Sequence, residues 1–109
     1  MINEKRYSTG VIEAALQWCG LKVDKRALQN AHAKGVFTAK RVKINNRAYL
    51  AATAQDVQTF LIVSHKGVAP LWMVKGLLEY AKYYIGSTSI WGESVQRKID
   101  KEFGNDRKN

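Results

Sequence analysis

The sequence has little of several features that would restrict its location or its chemistry. Its single cysteine, Cys19, excludes an internal disulfide and fits a reducing compartment. The longest apolar runs, Phe60 to Val63 and Val68 to Val74 with Pro70 between, are too short to cross a bilayer. No hydrophobic stretch at the start resembles a secretion signal. We therefore expect a cytoplasmic protein without membrane association.

Acidic residues are also scarce, with 9 Asp and Glu against 18 Lys and Arg and a net charge of +9. Residues 1–47 hold ten basic and three acidic residues and carry +7, whereas residues 48–109 carry +2. A basic half of this kind is expected of a nucleic-acid-binding protein. An anionic membrane or an acidic protein partner would attract the same charge, so charge alone leaves the partner open.

Residues suited to catalysis or metal binding are few and scattered. His32 and His65 have no metal-ligand spacing with Cys19 or with each other, and no pair of carboxylates stands in an apolar setting. His65 is expected in a loop. Cys19 falls in an apolar helical stripe, which predicts a small core residue and not a reactive thiol. We expect no catalytic residue, no metal, no cofactor and no small-molecule substrate.

The first half of the chain predicts two short helices and a hairpin. After a polar start that is expected to be frayed up to Tyr7, Ser8 or Thr9 can cap a helix that Gly20 ends. Asp24 can cap a second helix, which Gly35 ends. Residues 39–51 have strand-forming character on either side of Asn45-Asn46, a pair that tolerates the positive φ of a tight turn.

The second half predicts three more helices. Thr53 and Asp56 form a variant of the capping box, before a helix that buries Val57, Phe60 and Leu61. A fourth helix over about 71–85 carries two apolar stripes, and residues 86–89 read as a joint. A last helix runs from about 91 to 103, and the tail from about 104 is expected to be disordered. The stripes of these two helices comprise Leu71, Val74, Leu78, Ala81 and Ile85; Met73, Leu77, Tyr80 and Tyr84; and Trp91, Val95, Ile99 and Phe103.

The second helix is predicted to present a polar outer face. If Leu28 points inward, Arg26, Gln29, Asn30 and Ala33 lie opposite, with Lys25 on the flank. These side chains can hydrogen-bond a base edge or a phosphate. A polar-faced helix followed by a cationic hairpin suggests a winged helix-turn-helix. A solvated helix beside a solvated hairpin would give the same pattern.

Residues 8–61 resemble the excisionase and MerR-like winged helix-turn-helix family. In that family an alanine pair, a recognition helix, a glycine step, a hairpin and a third helix follow in this order. The matching segments here are Glu13-Ala14-Ala15, Arg26-Ala27-Leu28, Gly35-Val36-Phe37-Thr38-Ala39-Lys40-Arg41-Val42, Asn46-Arg47-Ala48-Tyr49-Leu50 and Asp56-Val57-Gln58-Thr59-Phe60-Leu61. The resemblance implies a mainly α fold with a small β-hairpin, namely a winged helix-turn-helix over 1–63 followed by a C-terminal helical extension over 64–109.

The resemblance also implies a protein that binds double-stranded DNA without chemistry of its own. Residues of the second helix would enter the major groove, and the hairpin would follow the backbone or the adjacent minor groove. Arg41 shares a face with Lys43 by alternation, although a residue so near the helix could instead brace the hairpin. The DNA-binding residues implied are Lys25, Arg26, Gln29, Asn30, Ala33, Lys34, Arg41, Lys43, Asn45, Asn46 and Arg47.

Several biological roles are compatible with such a domain. An excisionase-like architectural factor or transcriptional regulator of a phage or mobile element is expected, and a DNA-packaging or segregation subunit uses the same domain. A protein-binding adaptor or anti-repressor is the alternative outside DNA binding. The sequence lacks the exposed aromatic pairs on strands that stack bases in RNA-binding proteins, so RNA binding is not favoured.

The C-terminal helices are expected to mediate self-association, most simply as a homodimer. The winged domain can cover one stripe of the fourth helix, and the second stripe would then leave an apolar patch in water. Alternatively, the fifth helix folds back and covers that stripe within one chain. The oligomerisation residues predicted are Met73, Leu77, Tyr80, Tyr84 and Trp91.

Overall fold

The computed structural model describes residues 5–65, 69–88 and 90–103, with only the backbone described for 85–88 and 90–94. Over these residues the chain is mainly helical, with five helices and a small antiparallel sheet. The helices are α1 (Thr9–Trp18), α2 (Lys25–Ala33), α3 (Ala54–His65), α4 (Leu71–Thr88) and α5 (Ile90–Glu102). The strands β1 (Tyr7–Ser8), β2 (Lys40–Ile44) and β3 (Arg47–Ala52) pair in the order β1-β3-β2.

The predicted boundaries of α1 and α2 are confirmed by their capping groups. The side chains of Ser8 and Asp24 each accept a hydrogen bond from the backbone N–H three residues later, at the start of α1 and α2. Gly20 and Gly35 follow the ends of these helices with φ of +86° and +81°. At both ends the N–H groups of the glycine and of the next residue bond back to carbonyls of the last turn, which satisfies acceptors that the helix leaves unpaired.

The third helix begins with the predicted reciprocal cap. The Thr53 hydroxyl accepts a hydrogen bond from the Asp56 N–H at 3.1 Å, and the Asp56 carboxylate accepts one from the Thr53 N–H at 3.3 Å. Asp can therefore replace the usual Glu or Gln in this motif. Val57, Phe60 and Leu61 are buried, as the spacing predicted.

The sheet separates two apolar cores. The main core lies on the face of the sheet that carries Ala52, and helices α1 to α4 contribute to it. Its fully buried side chains include Val11, Ile12, Leu16, Leu28, Phe37, Val57 and Leu78. A smaller core on the opposite face contains Val42, Ile44, Ala51 and Ile99, with Tyr49, Val95 and Phe103 packed against it. Helix α5 therefore folds back onto the hairpin.

The N-terminal segment is part of the sheet, so the prediction that it is frayed up to Tyr7 is wrong for residues 5–7. Tyr7 pairs with Ala52 in β3 and is almost fully buried. The side chain of Gln96 in α5 bonds the outer edge of β1, accepting from the Ser8 N–H at 3.0 Å and donating to the Arg6 carbonyl at 3.1 Å. The sequence around a two-residue strand does not predict it, because the strand is defined by its pairing with residues far away in the chain.

Three other predictions are corrected. Cys19 is exposed, because α1 ends at Trp18 and the C-cap residue turns away from the core stripe. His65 is the last residue of α3, with its ring 5.2 Å from the Phe60 ring. Helix α4 extends to Thr88, through most of the predicted joint. The side chain of Trp91 and the tail from residue 104 lie outside the described part of the chain.

Helix α4 buries one of its two predicted stripes. Val74, Leu78 and Ala81 are buried in the main core and Leu71 is half-buried, whereas the side chain of Ile85 lies outside those described. Leu77, predicted on the second, outward stripe, is half-buried against the same core. It therefore belongs to the fold of the single chain.

Candidate nucleic-acid interface

Helix α2 is anchored by one side chain and leaves its polar face in solvent. Leu28 is fully buried, and Ala27 and Ala31 pack against the main core beside it. The opposite face is exposed along its whole length, as the helical spacing predicted. The exposed residues on this helix and at its C-cap include Lys25, Arg26, Gln29, Asn30, Ala33 and Lys34.

The N-terminus of α2 is already occupied by carboxylates. Asp24 accepts a hydrogen bond of 2.8 Å from the Ala27 N–H, and Glu13 of α1 accepts one of 3.2 Å from the Lys25 N–H. These two negative charges satisfy the positive end of the helix dipole and would repel a phosphate there. An anionic ligand on this helix would therefore be held by side chains beyond the first N–H groups.

The hairpin ends in a tight two-residue turn. Asn45 and Asn46 have φ of +51° and +66°, as the predicted turn requires. The register pairs Lys43 with Ala48 and Ile44 with Arg47. Lys43 therefore lies on the face of the sheet that packs on the main core, whereas Arg47 lies on the face covered by α5. Both faces of the hairpin carry positive charge near its tip.

Arg41 projects from the same face as Lys43, because they are two residues apart in one strand. It is exposed, and within the described ranges it forms no hydrogen bond or ion pair. A bracing role for Arg41 in the hairpin therefore has no contact to support it.

The cations of α2 and the hairpin are not neutralised within the described part of the molecule. The ion pairs found there are Lys5–Glu79 at 2.8 Å, Arg6–Asp56 at 3.7 Å and Lys82–Asp100 at 2.8 Å. Lys5 and Arg6, two of the ten basic residues of the N-terminal half, thus serve the fold. Among the exposed cations outside these pairs are the six of the predicted DNA-binding set, which are available to an external anion: Lys25, Arg26, Lys34, Arg41, Lys43 and Arg47.

One residue that sequence reasoning missed lies at the hairpin tip. Lys98 of α5 places its Nζ 3.4 Å from the Asn45 side-chain oxygen. Lys98 is exposed, as is Lys101 one turn later. The basic run beginning at Arg97 was a signal, but the sequence did not show that α5 lies beside the hairpin. The basic surface thus extends beyond the predicted residues.

The strongest electrostatic perturbations belong to the fold and not to this surface. Burial, together with the hydrogen bond that it donates to Glu79, raises the pKa of the Tyr7 hydroxyl. Burial alone would raise the pKa of the Glu79 carboxyl. The hydrogen bonds from Lys5 and Tyr7, with the charges of Lys5 and Lys82, instead hold that pKa below its ordinary value.

The described residues offer neither a metal site nor a membrane-spanning helix. They contain no cluster of three or more His, Cys, Asp or Glu side chains able to hold a metal ion. Across the same ranges, no helix combines the length and apolar character needed to span a membrane.

Comparisons with known proteins add no assignment. The chain matches no protein-family model, and comparisons with curated proteins and with solved structures found no match.

Proposed function

We propose that this chain binds duplex DNA through a winged helix-turn-helix formed by α1, α2, α3 and the β2–β3 hairpin. Helix α2 is the recognition helix, and the hairpin is the wing. The observation that carries the proposal is that the six predicted DNA-binding cations of α2, its C-cap and the hairpin are all exposed, and none of them is used in an ion pair among the described residues. Long cationic side chains left available in this way supply phosphate contacts.

The chemistry of α2 suits the major groove. Arg26 can make a bidentate contact with guanine, and Gln29 and Asn30 can do the same with adenine. Ala33 is small enough to let the C-terminal part of the helix approach the bases closely. Because Asp24 and Glu13 occupy the N-terminal N–H groups, Lys25 and Lys34 are the phosphate contacts at the two ends of the helix.

The hairpin suits the phosphate backbone beside the groove. Lys43 and Arg47 lie on opposite faces of the ribbon, so the tip can contact phosphates on both sides when it enters a minor groove. Asn45 and Asn46 provide short polar side chains at the tip itself. The core between the hairpin and α5 supports the ribbon on one face, so the wing needs little ordering when it binds.

The biological role that we propose is that of an excisionase-like architectural factor or transcriptional regulator of a phage or mobile element. The support is the order of motifs from Gly35 to Leu61, which resembles that of proteins with this role. Such a role requires DNA binding and no catalytic step. DNA-packaging or segregation subunits would use the same surface. Footprinting on the DNA that flanks the gene separates these roles by where the sites lie.

The test of DNA binding is a salt titration with a labelled mixed-sequence duplex, followed by fluorescence anisotropy. If the six cations each displace one counterion, affinity falls about a thousandfold between about 50 and 200 mM salt. Lys43→Ala should reduce the slope by about one, whereas Lys75→Ala on α4 should leave it unchanged. A protein-binding adaptor would show no such binding, and that result would overturn the proposal.

A further inference from the structure

Helix α4 presents an exposed aromatic surface that the DNA-binding proposal does not use. Trp72 and Tyr83 are 72% and 79% exposed, and Tyr80 is 61% exposed. Their positions, with Met73, fall within about a third of the helix circumference, on the side opposite the buried stripe of Val74, Leu78 and Ala81. We call this surface the aromatic arc; it consists of Trp72, Met73, Gly76, Tyr80, Tyr83 and Tyr84 of α4 with Trp18 of α1.

Trp18 makes the arc continuous from one helix to the next. Its ring centroid lies 5.1 Å from that of Tyr80 and 5.3 Å from that of Tyr84. The charged residues of α4, Lys75, Glu79 and Lys82, lie outside the arc by helical spacing, on the flank beside Trp72. Glu79 bonds Lys5, and Lys82 bonds Asp100. The arc itself therefore contains no charged side chain.

Gly76 lies in the middle of the arc, and no contact among the described residues requires a glycine there. A Cβ built on Gly76 would meet no atom within 4 Å, and φ is not in the left-handed region. Glycine inside an exposed helix costs about 1 kcal/mol relative to alanine. Its position is explained if another helix approaches the backbone closely at this point, in the notch between Trp72, Met73, Tyr80 and Tyr83.

The exposed area of the arc is close to the area that one partner buries in a protein–protein interface. From the exposed fractions and about 200 Å² for each large side chain, the arc leaves about 700 Å² in water. The largest apolar patch on a typical monomer is about 300–600 Å². A standard interface buries about 800 Å² on each partner, with aromatic and Met side chains enriched at its centre.

We infer that the aromatic arc binds the same arc of a second copy of this chain. In a two-fold arrangement each α4 crosses its counterpart near Gly76, and the flanking aromatic rings of one copy fill the notch of the other. A self-complementary surface of this kind needs no other partner. The inference does not depend on DNA binding. It keeps Met73, Tyr80 and Tyr84 of the predicted oligomerisation residues and leaves out Leu77, which packs against the intrachain core.

The experiment uses the full chain without DNA, in sedimentation velocity over a range up to tens of micromolar. We expect a monomer–dimer equilibrium. Gly76→Gln should weaken dimerisation at least tenfold because it fills the notch, while it raises the thermal midpoint of the monomer by a few degrees because it removes a helical glycine. Lys75→Gln places the same side chain one residue away, outside the arc, and should leave the dimer intact.

A second variant guards against unfolding as the cause. Trp72→Glu with Tyr83→Glu changes only highly exposed side chains, so it should give a folded monomer by circular dichroism. A full chain that stays monomeric at tens of micromolar would overturn the inference. So would a Gly76→Gln dimer as tight as that of the unaltered chain, or binding of the monomer to anionic lipid vesicles through the arc in place of self-association.

Discussion

The side-chain oxygen of Gln96 accepts a hydrogen bond of 3.0 Å from the backbone N–H of Ser8, across 88 positions of sequence. The same amide donates to the carbonyl of Arg6 at 3.1 Å and to the carboxylate of Asp100 at 2.9 Å. One side chain thereby completes the free edge of β1, as a neighbouring strand would. This contact attaches α5, which packs against one face of the hairpin, to the sheet.

Gln96→Leu should lower the free energy of unfolding by about 1–3 kcal/mol, because it removes the acceptor of the buried Ser8 N–H. Chemical denaturation monitored by circular dichroism measures the change. Gln55→Leu, at an exposed position of α3, is the matched control and should change stability little. Equal effects of the two variants would show that the edge contact contributes nothing.

Stability should depend on pH through Tyr7 and Glu79. The pKa of Glu79 lies below its ordinary 4.5, so its contribution is complete above that pH and is lost as the pH falls through the folded value. The pKa of Tyr7 lies above its ordinary 10.0, so its contribution is complete below pH 10 and is lost at higher pH.

The urea concentration at the unfolding midpoint should therefore fall at acidic pH, where Glu79 is protonated, and at alkaline pH above 10, where Tyr7 ionises. Tyr7→Phe should be less stable at neutral pH but should show a flatter alkaline limb, because the buried hydroxyl can no longer ionise. If the midpoint of Tyr7→Phe fell as steeply at alkaline pH as that of the unaltered chain, the alkaline loss of stability would come from groups other than Tyr7.

The helix and the wing should contribute differently to DNA recognition. Arg26→Ala or Gln29→Ala should lose about 1–3 kcal/mol of binding free energy on a duplex selected in vitro, and much less on random duplex. Arg47→Ala should weaken binding to both duplexes nearly alike, because a backbone contact carries little sequence information. Loss of site preference in Arg47→Ala alone would make the wing the sequence reader.

Lys98 should act as an additional phosphate contact beside the wing tip. Lys98→Ala should reduce the salt slope of duplex binding by about one, on selected and random duplexes alike. Lys75→Ala on α4 is the control for the loss of one exposed lysine. If Lys98→Ala instead changed only the denaturation midpoint, its contact with Asn45 would be structural and not part of the DNA surface.

Elements whose signals lie within a few residues of sequence could be predicted. The caps at Ser8 and Asp24, the terminating glycines, the Thr53–Asp56 cap and the Asn45-Asn46 turn follow from side-chain chemistry and from positive φ. The exposed face of α2 follows from helical spacing once Leu28 is inward. These features need no knowledge of the rest of the chain.

Tertiary structure alone decided where the remaining apolar and polar surfaces went. The spacing of Val95, Ile99 and Phe103 defines an apolar stripe. A partner, the outer stripe of α4 or the hairpin could each have covered it, and in the structure the hairpin covers it. Sequence likewise did not show that Leu77 packs against the main core, or that Lys5 and Arg6 form ion pairs within the molecule. Nor did it show that Tyr7 and Ser8 pair with β3 as a strand. Burial is not directional, so the sequence shows that a surface must be covered, and only the packing of the whole chain determines by what.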